Sequence, residues 1–218
     1  VFNAPIYGHN TWGSLFSSRQ SLSLTTFVRL VRESGVKQTS ENFSMLTKNV
    51  QMCLALVIDS CADHNASLCA WRPNTLDVSH VFGRQDITMT WDFAEVNPIG
   101  ESTGSFIVAL NKILRVINRE LQFSQSFGHI ERASATIHPL PDDTAQCFFT
   151  DPPYYNAVPY ADLSDFFYVW LKRSVGDIFP DIFSSPVIRK NEEIVANTSR
   201  HRSKIEAKNF FEKSLLLF

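Results

Sequence analysis

The stretch QCFFTDPPYY, Gln146 to Tyr155, carries the reading of the fold. Cys147, Phe148 and Phe149 form an apolar run too short for a helix, and the prolines at 152 and 153 end any regular element that reaches them. The pattern predicts a short buried strand over Gln146 to Thr150 that stops at Asp151. Beyond the loop, Leu163, Phe166, Phe167, Trp170 and Leu171 recur at helical spacing, which predicts a helix over Asp162 to Arg173. Acids at 162 and 165 open it and Lys172 and Arg173 close it, as the helix dipole favours. Strand, loop and helix in that order are the grammar of an α/β fold, and open α/β sheets bind ligands beyond the carboxyl ends of their strands. Asp151 stands at such a position.

Outward from this stretch the same reasoning predicts a strand over Ala133 to Ile137, then a turn through Pro139, Pro141, Asp142 and Asp143. Weaker strand patterns run from Val78 to Phe82 and from Ile87 to Trp91. Helical stripes cover Ser21 to Glu33, ended by Gly35, then Glu41 to Ala62, Ser105 to Leu121, and Glu206 to Leu217. The expected fold class is α/β, part of a Rossmann-like sheet with flanking helices. Residues 1–104 form its helical and short-strand accessory region and residues 105–218 its motif-bearing part.

The loop chemistry is specific. A conjugated exocyclic amine, such as adenine N6, is a poor nucleophile because its lone pair is delocalised into the ring. Acceptors on both of its N–H groups favour a pyramidal nitrogen. The Asp151 carboxylate supplies one acceptor and the Pro152 carbonyl the other. Pro153 stiffens the loop and removes a donor, and Tyr154 offers a flat face on which an extruded base can stack. Tyr155 is expected to line the base pocket. Ser134 and Ala135, at the end of the preceding strand, are candidates for the border of the methyl donor's adenine. Catalysis of this kind rests on positioning.

The longer run DPPYYNAVPYADLSDFFYVWLKRSVGDIFPDIF, Asp151 to Phe183, resembles the zinc-ribbon-containing adenine-specific DNA methylases. YGHNTWGSLFSSRQSLSLTTF, SLCAWRP, WDFAEVNP and NEEIVANTSRH extend the resemblance over nearly the whole chain. It implies a site-specific enzyme that transfers methyl from S-adenosylmethionine to adenine N6 in DNA, with Asp151, Pro152, Pro153 and Tyr154 as its catalytic motif. Another amino group (in RNA, at cytosine N4 or on protein glutamine) suits the same acceptors, and a non-catalytic nucleic-acid-binding chain is the alternative from another class. The family's glycine-rich donor motif and its zinc-ribbon cysteines are absent, so no metal is expected. Thr198 and Arg202 stand where the family has proline and glycine.

Composition bounds these expectations. An apolar fraction of 44% against 19% charged is globular, and a net charge of -2 gives no overall basic field. Four cysteines without CxxC spacing read as reduced thiols of a cytoplasmic protein. No apolar run approaches a membrane span, so no membrane partner is expected. Val1 and the apolar stop at Phe218 read as cuts through a longer chain.

The remaining candidates read as structural. Asn97-Pro98 is a turn, Trp12, Arg19 and Gln20 belong to a helix start, and Asp162 and Asp165 are first-turn acids. Arg189, Lys190, Arg200, His201, Arg202 and Lys204 form a solvated basic region, with a DNA backbone as the functional alternative. The six histidines, His9, His64, His80, His129, His138 and His201, lack ligand spacing.

Overall fold

A computed structural model describes residues 4–36, 41–83, 86–123, 128–131, 133–137 and 140–217. Val1, Asn3, His138, Pro139 and Phe218, named above, lie outside them. Five helices dominate among the described residues: α1 (Ser18–Val36), α2 (Glu41–Ala62), α3 (Phe106–Phe123), α4 (Tyr160–Val175) and α5 (Lys204–Leu215). Two short 3-10 helices, Ala4–Tyr7 and Trp12–Leu15, precede them. Among the described residues the strands are β1 (Trp71–Arg72) and β2 (Asp77–Val78), paired antiparallel with Trp71 opposite Val78.

The α/β expectation is therefore overturned. The chain is mostly helical, 46% of it, and a two-stranded antiparallel hairpin is not a Rossmann-like sheet. Of the Val78 to Phe82 strand only Val78 is in β2, while Ile87 to Trp91, Ala133 to Ile137 and Gln146 to Thr150 are not strands. The reason lies in what a strand requires. An apolar run becomes a strand only by exchanging backbone hydrogen bonds with neighbours, and a buried parallel strand needs one on each side and helices over both faces. Among the described residues Gln146 to Thr150 enters no sheet, and Phe149 is 95% exposed.

The chain divides into two units, Val1–Phe123 with Leu163–Ile188, and Ser124–Asp162 with Arg189–Phe218. In the first, α1 packs on α2 and α2 on α3. Leu24, Val28 and Val31 of α1, Val57, Ile58 and Cys61 of α2, and Phe166 and Trp170 of α4 share its buried core. Phe166 is its centre, stacked on Phe16 at 5.6 Å and edge-on to Trp12, Phe82 and Phe167. Helix α1 opens with a reciprocal cap, in which the Ser17 amide donates to Gln20 Oε1 at 2.9 Å and the Gln20 amide to Ser17 Oγ at 3.2 Å. Arg19 beside it pairs with Glu95 at 2.6 Å.

Gly35 lies inside α1, one residue short of its end. Its role is close approach. A Cβ there would fall 2.2 Å from the Gln51 amide nitrogen, which donates to the Val31 carbonyl at 2.9 Å and so ties α2 to the last turns of α1. Gly104 has φ +89, and a Cβ there would meet the His64 Cβ at 2.6 Å. The bare backbone at 104 lets Asn65 donate to its carbonyl at 2.9 Å.

In the second unit Val158, Ala161, Val195, Ala196 and Ala207 are buried. Ser203 caps α5 by accepting the Glu206 amide at 3.1 Å, while the Glu206 carboxylate accepts the Arg202 amide at 2.9 Å.

Candidate functional site

Residues Asp151 to Ala157 form an irregular loop that leads into α4. The two prolines exclude regular structure, and hydrogen bonds close the rest. The Tyr155 amide donates to the Pro153 carbonyl at 3.1 Å and the Ala157 amide to the Tyr154 carbonyl at 2.8 Å. Tyr155 takes φ +43, a left-handed conformation that costs a residue with a Cβ about 1–2 kcal/mol. Something beyond the turn must hold it there.

That support is the segment after residue 189. The Ala196 amide donates to the Tyr155 carbonyl at 2.9 Å, and Val195 and Ala196 are buried. Glu193 accepts the Ala161 amide at 2.8 Å through one carboxylate oxygen, at the first turn of α4. Its other oxygen meets Arg200 at 2.5 Å, and the same guanidinium reaches Asp162 at 2.5 Å and the Lys190 carbonyl at 3.0 Å. The Arg200 side chain is 13% exposed. Burial works against its charge, but its hydrogen bonds to Glu193 and then to Asp162 outweigh it and hold its pKa above the ordinary value.

Arg200 is thus no member of a solvated basic region, as its sequence neighbourhood suggests. Asp162 is committed to Arg200. Asp165 is buried and accepts the Ile188 amide at 2.8 Å. Glu193 was passed over by sequence reasoning. Its only local signal is its place in the NEEIVANTSRH stretch, and nothing there reveals that it reaches α4.

The Asp151 side chain is exposed, and Pro152 and Pro153 are half-buried. Pro153's carbonyl is taken by the turn, whereas Pro152's accepts no backbone hydrogen bond among the described residues. Tyr154 is 55% exposed and turned to Asp151. The Asp151 charge, then that of Tyr160, then a hydrogen bond to Asp151 hold the Tyr154 phenol above its ordinary pKa. The Tyr155 ring lies edge-on against Phe211 of α5 at 5.1 Å, half exposed. Asp151, Pro152 and Tyr154 accordingly form one open patch, with Tyr155 as the buttress behind it.

Ser134 and Ala135 are placed differently. Ser134 Oγ lies 2.9 Å from Thr136 Oγ1 and accepts the Thr136 amide at 3.3 Å, and its carbonyl accepts the Ile137 amide at 3.0 Å. These bonds close an exposed turn where a strand end was expected. A donor's adenine needs a concave, mostly apolar wall, so these two residues do not fit it.

Among the described residues no cluster of three or more histidine, cysteine or acidic side chains is arranged to hold a metal. No helix among them is long and apolar enough to cross a membrane. No protein-family model, curated protein or solved structure matches the chain.

Proposed function

We propose that Asp151 to Tyr154 is the amine-holding loop of an S-adenosylmethionine-dependent methyltransferase acting on adenine N6 in DNA. The reading rests on one observation, an exposed carboxylate and a carbonyl free of backbone hydrogen bonds among the described residues, on a proline-stiffened, braced loop beside a half-exposed aromatic ring. Asp151 accepts one N–H of the amine and the Pro152 carbonyl the other, which localises the nitrogen lone pair. Tyr154 stacks on the base, an interaction worth about 1–3 kcal/mol. Its hydroxyl leaves Asp151 when the amine arrives. The motif implies S-adenosylmethionine as the methyl source. Ser134 and Ala135, on an exposed turn, do not fit that donor.

The misfit favours a second reading, a nucleic-acid-binding chain without transfer of its own. One assay separates the two. Labelled methyl from S-adenosylmethionine is expected to appear in unmethylated DNA as N6-methyladenine with the protein, and to vanish with Asp151→Ala. DNA binding without label favours the binding chain, and undiminished label in the variant removes Asp151 from the reaction.

A further inference from the structure

We infer that Arg200 is the positioning residue of the Asp151–Tyr155 loop, locking the segment from Lys190 to Arg200 into a strap that holds Tyr155 in its left-handed conformation. The role assigned to the loop itself rests on the amine-holding reading above. Arg200 touches none of the loop's acceptors. It acts through two bonds made by other residues of the strap.

The guanidinium joins both ends of the strap, with the Lys190 carbonyl at 3.0 Å and Glu193 at 2.5 Å on one side and its own backbone on the other. Asp162 at 2.5 Å anchors the closed strap to the first turn of α4. So held, Glu193 keeps its second oxygen on the Ala161 amide, and the Ala196 amide is presented to the Tyr155 carbonyl at 2.9 Å. A strained φ persists only where its surroundings over-determine it. Here the over-determination is the Ala196 bond on one side of Tyr155 and the Tyr154–Ala157 turn on the other.

Without Arg200, Asp162 and Glu193 lose the cation between them and the strap loses its closure. Tyr155 then relaxes to negative φ, and the loop before it loses its fixed backbone geometry. Lysine preserves the charge but lacks the planar fork that meets two carboxylates and a carbonyl together. Glu193→Gln keeps an acceptor for the Ala161 amide and removes only the charge that faces Arg200.

The test compares the full chain with Arg200→Ala, Arg200→Lys and Glu193→Gln. Hydrogen exchange is read at the Ala157 and Ala196 amides, with α2 amides as the internal reference. In Arg200→Ala, exchange at Ala157 and Ala196 is expected to rise by about tenfold or more while α2 is unchanged, with Arg200→Lys and Glu193→Gln between it and wild type. In the methyl-transfer assay kcat is expected to fall by about tenfold or more, with KM for DNA nearly constant, because misplacement of the loop removes orientation of the amine at the reacting centre. Wild-type exchange at both amides in a folded Arg200→Ala protein overturns the inference. If that variant does not fold, unchanged exchange in both milder variants overturns it instead. Absence of transfer in the wild type defeats the amine-holding reading alone, and the exchange data still decide whether Arg200 positions the loop.

Discussion

Asp59 sets the most pronounced electrostatic tension of any single residue described. It lies on α2 at 8% exposure, and its Oδ1 has no hydrogen-bond partner among the described residues. Burial first, and the Asp63 charge second, push its pKa up to about 8. The folded chain therefore keeps a proton on Asp59 that the unfolded chain releases above about pH 4. Its contribution to stability is full below that pH and is lost as pH rises towards 8, by up to about 1.4 kcal/mol per unit. Asp59→Asn, neutral at every pH, is expected to melt close to wild type below about pH 4 and progressively above it from pH 5 to 8. A temperature difference that stays constant across that range would show that Asp59 is ionised in the fold. Tyr154 provides a second case. Tyr154→Phe keeps the stacking face and frees Asp151, so methyl transfer is expected to persist. Tyr154→Ala should lower it about tenfold or more, for loss of stacking. Equal losses in both variants would assign the role to the hydroxyl.

Helix positions are local properties, and they were legible. The stripes in α1, α2, α3 and α4 recur every three or four residues, and a single stretch of chain contains all the information such a pattern needs. Even so, periodicity did not say which apolar positions are buried. Met45, Leu46 and Val50 continue the stripe of α2 and are exposed, while Gln51 beside them is buried because α1 offers it a carbonyl. The strands were misread for the corresponding reason, since Cys147, Phe148 and Phe149 look like a strand whether or not a neighbour exists to pair with them. Caps are local as well. At α5, Ser203→Ala removes the acceptor of the Glu206 amide and is expected to cost about 1 kcal/mol, read as faster exchange at that amide and reduced helicity. Unchanged exchange would mean that Glu206, through the Arg202 amide, suffices to start the helix.

Across the whole molecule, the core around Phe166 draws on residues from 12 to 170. Phe166 is fully buried, and truncation leaves a void lined by Trp12, Phe16, Phe82 and Phe167 that those rings cannot all collapse into. Phe166→Ala is expected to lower unfolding free energy by about 3–5 kcal/mol in a urea titration. A loss below about 1 kcal/mol would show that the ring is not a core element. The loop has the same long-range character, because Tyr155 meets Ala196, far downstream in the chain.

The sequence by itself determined where the helices lie and that Asp151 to Tyr154 form a proline-stiffened loop. Each depends on neighbours within a few positions, through side-chain periodicity, proline geometry and capping. Only the tertiary structure decided that no parallel sheet forms among the described residues, that Ser134 and Ala135 sit on an exposed turn, and that Ala196 meets Tyr155 while Arg200 joins Glu193 and Asp162. Those outcomes depend on which distant segments meet, and a strand or an ion pair exists only when its partner arrives.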